Sequence, residues 1–367
     1  GGGKGRELTD RIVDPARADR PTGIGKQKMI DGFLASANSK LPPEVLRWLA
    51  RLNAGEPYDS PSDPVIPEAR RALTIDRSPY FQNGYFAALR AHRQRRVPIL
   101  TAQGWTDPIF EAIEPVRMYR RLQLSSRHYP IELYFGDFEH LTSLAKVPDF
   151  ARWHDLGNRL FDRYLLGRRR RVHFDARSTV TDCDPHRLGS QVTARSWSAL
   201  ARHHLTLKLG GPRQTTSPLP SSQGSSIDPV VQGTARGRGC LARAGADPTL
   251  GLASYTAAVP ANTTLIGLPR LRLRFRTLAT DLELNSRLWD VAPNGSQTLV
   301  TRGAYRAINP ALGGSTIEYE LFGNHWRFAA GHSLLLEVLQ DDSTYLRRDS
   351  FPGSATLDEA TLVLPTR

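Results

Sequence analysis

Two short segments of this 367-residue chain put acid–base residue types just past strand-like runs. The first is Gly104-Trp105-Thr106-Asp107-Pro108-Ile109-Phe110, after the apolar run Val97-Pro98-Ile99-Leu100-Thr101-Ala102. The second is Gly136-Asp137-Phe138-Glu139-His140-Leu141, after Ile131-Glu132-Leu133-Tyr134-Phe135. In open α/β sheets, reactive groups sit on loops leaving the carboxyl ends of strands. A carboxylate after one strand and a histidine after the next, in this chain order, is the acid–base half of a nucleophile–acid–histidine triad. Asp107 would hold the His140 imidazole in one tautomer and stabilise its cation, while His140 takes a proton from a serine hydroxyl. Each residue alone has a plainer reading. An Asp before Pro is by default a turn or helix-cap residue, and a single His is more often structural. Asp137 and Glu139 are competing carboxylates beside His140, and loop geometry and solvation account for them. The ordered pair on consecutive strand ends is what favours catalysis.

The elements that must carry this pair are legible in the hydrophobic pattern. A continuous apolar run predicts a buried strand of a parallel sheet over 97–102, and a second strand covers 131–135. Between them a helix is expected over 113–124. After them comes an amphipathic helix over 147–166, carrying Phe150, Trp153, Leu156, Leu160, Phe161 and Tyr164 and ended by Gly167. Strand, helix, strand, helix at this spacing is a βαβα unit. Upstream, residues 1–25 read as loop, 26–53 as two helices split by Pro42-Pro43, 55–67 as a Pro-rich connector, and 79–92 as a helix. Beyond Arg171 the period becomes two, most plainly where Leu271, Leu273 and Phe275 alternate with arginines. Further strands are expected at 172–180, 201–209, 282–291, 297–306, 316–322, 333–339 and 359–364. Turns fall at Pro293-Asn294-Gly295 and Gly313-Gly314, and the Gly/Ser/Pro-rich stretch 211–250 reads as a mobile excursion. This half is expected to be an all-β sandwich of jelly-roll type.

The net charge of +13 raises nucleic acid as a partner, but its distribution argues against one. Of the 49 basic residues 43 are Arg, and the excess is divided as +5 over 1–167 and +8 over 168–367. The one dense run, Arg168 to Arg171, reads as a solvated helix end, where cations suit the macrodipole. No apolar stretch is long enough for a membrane helix. The two cysteines, Cys183 and Cys240, are too few for a disulfide framework, and their spacing does not decide whether they pair. Asp182-Cys183-Asp184-Pro185-His186 is read as a turn, since a metal site would need a second ligand cluster. Gly23-Ile24-Gly25-Lys26 is not a phosphate-binding loop, because Gln27 stands where Ser or Thr is required. Cofactors and metals are therefore expected to be none.

The motifs around Asp107 and His140 resemble those of the X-Pro dipeptidyl-peptidase and CocE/NonD (cocaine-esterase-like) serine hydrolases. Pro21-Thr22-Gly23-Ile24 and Asn53-Ala54-Gly55-Glu56-Pro57-Tyr58 look like the helical cap of that family. Arg287-Leu288-Trp289-Asp290-Val291-Ala292-Pro293-Asn294-Gly295, Thr301-Arg302-Gly303, Asn324-His325-Trp326-Arg327-Phe328-Ala329-Ala330-Gly331-His332 and Leu362-Val363-Leu364-Pro365 look like its C-terminal domain. The resemblance implies Asp107 as triad acid and His140 as triad base. It implies an incomplete α/β-hydrolase domain with a helical cap, then a jelly-roll, galactose-binding-like sandwich. The expected divisions are 1–95 for cap and connector, 96–170 for the hydrolase part and 171–367 for the sandwich. The chain departs from the family in having no Gly-x-Ser-x-Gly before Asp107. Ser36, Ser39, Ser60, Ser62 and Ser78 lie there, none on a strand-to-helix glycine elbow, and Ser333 leads into a strand of the β half. The start, Gly1-Gly2-Gly3-Lys4-Gly5, has neither an initiator Met nor an apolar signal region. The expectation is a fragment, inactive alone, of an enzyme that cleaves an ester or short peptide through an acyl-enzyme. Neither nucleic acid nor membrane is an expected partner, and oligomeric state and compartment are left open. The rival reading is a non-catalytic protein that binds carbohydrate or protein through its β-sandwich.

Overall fold

The computed structural model describes residues 26–28, 31–32, 35, 40–55, 60, 62–74, 84–140, 146–230, 239–348 and 353–367. The cap-like motif at 21–24, Glu56 to Tyr58, the start of the 79–92 helix, and Ser36, Ser39 and Ser78 lie outside them.

Gln27, Lys28, Asp31, Gly32 and Ala35 are helical, and after them come α1 (Pro43–Ala54), α2 (Val65–Thr74) and α3 (Phe86–Arg90). The sequence reading takes residues up to 67 as connector, yet α2 begins at Val65. Asp63 accepts the Val65 N–H at 2.9 Å, and Pro67 falls in the first turn, where a missing N–H costs nothing. Tyr85 at the edge of α3 shares a hydroxyl contact with Tyr129, which joins this region to the sheet that follows.

That sheet has four strands in the order β1 (Ile99–Gly104), β2 (Ile131–Gly136), β3 (Ala176–Thr179), β4 (Gln191–Ala194), with α4 (Ile113–Ser125) and α5 (Val147–Tyr164) as the crossovers. β1, β2 and β3 are parallel and β4 is antiparallel. β1 starts two residues later than its apolar run predicts, because Pro98 has no N–H to give; the ladder begins where Ile99 donates to the Pro130 carbonyl at 2.9 Å. Residues 172–180, read above as the first strand of the β half, extend this sheet past residue 171. β2 is buried along its whole length, as expected of a central parallel strand. β1 is not. Among the described residues β2 is its only neighbour, so its residues up to Gln103 are half-exposed.

The remaining strands form two facing sheets. One joins β5 (His203–Leu209), β6 (Gln214–Thr216), β9 (Thr264–Gly267), β10 (Arg270–Thr277), β13 (Ser315–Glu320), β14 (Asn324–Arg327) and β16 (Ala355–Thr366). The other joins β7 (Ala242–Arg243), β8 (Ala253–Ala258), β11 (Asp281–Val291), β12 (Gln297–Ile308) and β15 (Ser333–Leu339). Leu271, Leu273 and Phe275 of β10 meet Leu282, Leu284 and Leu288 of β11 in one apolar cluster, so the two sheets pack as a β-sandwich. The Arg face of β10 points outward, where Arg274 and Arg276 pair with Glu359 and Asp358 of β16. The stretch 211–250, expected to be a mobile excursion, is packed where it is described. Ile227 and Asp228 are fully buried, and Ser221 donates to Asp247 at 2.5 Å. Cys183 and Cys240 form a disulfide, which links the turn after β3 to the segment leading into β7.

The sandwich and the four-stranded sheet share a second apolar cluster, in which Trp105 and Phe135 meet Ile266 and Leu268. Across the same interface Trp105 Nε1 donates to Ser178 Oγ at 3.1 Å, and that hydroxyl lies 2.9 Å from His325 Nδ1.

Candidate active site

β1 and β2 end in register at Gly104 and Gly136, and both positions need glycine for a steric reason. A Cβ at Gly104 would lie 1.9 Å from the Phe138 carbonyl oxygen. At Gly136 it would lie 2.2 Å from the Phe138 ring and 2.3 Å from an Asp149 carboxylate oxygen. The loops that leave the two strands therefore fold onto each other. Thr106 Oγ1 donates to the Phe138 carbonyl at 3.1 Å and fixes that contact.

On this platform Asp107 Oδ2 lies 3.1 Å from His140 Nδ1. The other oxygen, Oδ1, accepts the N–H groups of Ile109 at 2.8 Å and Phe110 at 3.0 Å. Gln103 Nε2 donates to Oδ2 at 3.1 Å and to the Phe110 carbonyl at 2.7 Å. The carboxylate is thus held by four contacts and its side chain is 7% exposed, while that of His140 is 35% exposed. The Phe110 ring stands 5.2 Å from the imidazole. In the tautomer whose Nδ1–H donates to Asp107, the imidazole Nε2 can accept a proton, which is the geometry of a general base.

The pair opens onto a groove of about 720 Å³ along the unpaired edge of β1, lined by Leu100, Phe110, Phe138, Trp153, Leu160 and Phe161 among others. No serine lines it among the described residues. Ser60 and Ser62 bond each other at 2.9 Å in the connector before α2, and Ser333 opens β15. The structure brings none of these to His140.

The other carboxylates of the second loop separate into two kinds. Asp137 is structural: it pairs with Lys146 at 2.7 Å and accepts the Asp182 N–H at 2.9 Å, and burial pushes its carboxyl up to about 6. Lys146 in turn donates to the carbonyls of Asp182, Asp184 and Arg187, so it clamps the turn around Cys183. Glu139 is the residue the sequence reading passed over. It is half-buried, it forms no hydrogen bond or ion pair among the described residues, and burial followed by the Asp107 charge pushes its carboxyl up to about 7. Gln103 was also missed. Its place at the carboxyl end of β1, four residues before Asp107, is the signal that could have found it.

The family-like motifs of the β half lie mainly in its interior. Arg287 is fully buried between Asp342 at 2.6 Å and Asp247 at 3.1 Å, and Trp289 donates to Glu337 at 2.8 Å. Asp290 accepts Trp326 Nε1 at 2.9 Å and lies 2.8 Å from His332 Nδ1.

Residues 188–366 match the C-terminal non-catalytic domain of X-Pro dipeptidyl-peptidase. No curated protein sequence matches the chain. Solved structures of several hydrolases share its fold. An aminopeptidase from a marine sediment archaeon (Thaumarchaeota archaeon) aligns at 14% identity and TM-score 0.64 over 95% of this chain and 65% of its own. An alpha-amino acid ester hydrolase aligns at 14% and 0.60 over 83% and 62%. A CocE/NonD family hydrolase from Staphylococcus aureus aligns at 11% and 0.51 over 82% and 61%. The chain thus spans under two thirds of the length of these structures. The domain match and these neighbours bear out the resemblance to the X-Pro dipeptidyl-peptidase and CocE/NonD family.

Proposed function

We propose that this chain, which carries the C-terminal domain of X-Pro dipeptidyl-peptidases, is the acid–base and accessory part of a serine hydrolase that cleaves an ester or short peptide bond. The observation that carries the reading is the 3.1 Å contact between Asp107 and His140, at the ends of adjacent parallel strands. In the reaction His140 Nε2 takes the proton from a serine hydroxyl as its oxygen attacks the acyl carbon. The resulting imidazolium is stabilised by Asp107, and the proton then passes to the leaving group. Water repeats the cycle on the acyl-enzyme, with His140 again as base.

The serine comes from a polypeptide segment that seats along the open edge of β1. Three features of that edge support this: a strand side with no partner among the described residues, an apolar groove, and an imidazole at the groove's end. α1 and α2 are read as part of a cap, and the four-stranded sheet as the last part of an α/β-hydrolase sheet. The sandwich is read as a jelly-roll, galactose-binding-like accessory domain that closes the site through Tyr345, whose hydroxyl donates to the Pro108 carbonyl at 2.7 Å. By itself the chain is expected to hydrolyse p-nitrophenyl esters no faster than a His140→Ala variant. Saturable turnover by this chain, abolished in that variant, would overturn the proposal that its nucleophile lies elsewhere.

A further inference from the structure

The bonds of one β1 side chain converge on the neighbours of His140. Gln103 stands opposite Phe135 of β2, one position before the Gly104 strand end, and lines the groove that contains His140. The atoms its amide nitrogen meets are oxygens: the Phe110 carbonyl at 2.7 Å, Asp107 Oδ2 at 3.1 Å and, more distantly, the Gly104 carbonyl at 3.4 Å. Turning the amide over would set its own oxygen against these acceptors, so hydrogen-bond chemistry fixes its orientation. The turn at Asp107 does not need this residue. Oδ1 closes it by accepting the N–H groups of Ile109 at 2.8 Å and Phe110 at 3.0 Å. Gln103 bonds the other oxygen, the one 3.1 Å from His140 Nδ1. Its second bond holds the backbone of Phe110, whose ring stands 5.2 Å from the imidazole.

We propose that Gln103 is a positioning residue, which holds Asp107 Oδ2 and Phe110 so that the His140 imidazole keeps one tautomer and one orientation. It acts through these two residues and takes no part in proton transfer itself. A carboxylate pinned at one oxygen can still rock about its Cβ–Cγ bond, and a donor at the second oxygen stops that motion. The acceptor for Nδ1–H is then in place before any imidazolium forms, and little has to reorganise when it does. An amide also suits the task by charge. Being neutral, it orders Oδ2 without cancelling the negative charge that stabilises the imidazolium, as a lysine or arginine in its place would do. This role rests on the reading of Asp107 and His140 as the acid–base pair of a hydrolase.

The test compares this chain with Gln103→Met, which keeps the length and bulk of the side chain and removes the donor. Nitrogen NMR of His140 at about pH 9, above the ordinary imidazole range, reads the tautomers of the neutral ring. The ratio of the Nδ1–H to the Nε2–H form should fall about three-fold or more in the variant, the worth of one modest hydrogen bond. Magnetisation transfer between the Phe110 and His140 rings should weaken with it. A lower melting temperature with an unchanged tautomer ratio would make Gln103 a support of β1 alone and overturn the proposal. A second measurement needs no variant and decides the matter if Gln103→Met does not fold. In the parent, the Gln103 NH2 protons should exchange with water about ten-fold or more slowly than those of free glutamine, as protons donated to two acceptors must. Exchange as fast as in free glutamine would equally overturn the role. Both readouts follow the position of protons and not turnover. A chain whose His140 tautomer depends on Gln103, yet which belongs to no His140-dependent hydrolase, keeps the positioning role and loses only its use in catalysis.

Discussion

Asp107 serves as a turn residue and as the partner of His140 at once. Oδ1 closes the turn onto Ile109 and Phe110, and Oδ2 faces the imidazole, so the turn role of Asp-Pro is compatible with the proposed catalytic one. Asp107→Asn should preserve the turn, because the amide oxygen can still accept, while its NH2 faces Nδ1. Nitrogen NMR of His140 should then show the proton moved from Nδ1 to Nε2; the same tautomer in both proteins would count against the pairing. Asp107 and His140 were legible because strand ends can be read from apolar runs. Glu139 was not, because its state depends on desolvation by residues distant in sequence. The same holds for His325. Read first as part of a motif, it is fully buried, and burial lowers its pKa to about 4 from an ordinary value near 6.5. The folded state thus keeps His325 neutral while the unfolded chain takes up a proton. The stability this gives is present above about pH 6.5 and is lost as pH falls toward 4, by about 3 kcal/mol. Urea melts of the parent and His325→Asn should diverge in that window, and parallel pH profiles would refute the assignment.

At the scale of elements, the two glycine strand ends decide where the loops that carry Asp107 and His140 go. Gly136→Ala puts a methyl group into the Phe138 ring and the Asp149 carboxylate, which also holds the Asp137 N–H at 2.7 Å. Overpacking of this kind costs about 1–3 kcal/mol. The variant should therefore melt lower and broaden the His140 resonance, and an unshifted melt would show that the loops can give way. Helix α5 and strands β1 and β2 were legible because their apolar period is strong. The pairing of β3 and β4 with β2 was not, since a four-residue strand such as Ala176–Thr179 carries no sign of which sheet it joins. What holds that region is equally non-local: the Cys183–Cys240 disulfide and the Lys146 clamp both reach across tens of residues.

For the whole molecule, a small part of the arginine excess is internal. Arg243, Arg287, Arg302 and Arg306 are ion-paired inside the sandwich, where the planar guanidinium can meet several acceptors at once. Composition alone showed the excess and not its burial. The molecule joins a β-sandwich to a four-stranded sheet, and the candidate catalytic pair sits at the carboxyl ends of β1 and β2, β1 being an edge strand among the described residues. The proposal therefore turns on a nucleophile brought to the edge of β1. The most direct measurement is hydrolysis of p-nitrophenyl butyrate by this chain joined to the residues encoded immediately before Gly1, alongside its His140→Ala variant. The account predicts saturable turnover that falls about 10³-fold or more in the variant. An extended protein without turnover, or with turnover indifferent to His140, would contradict it.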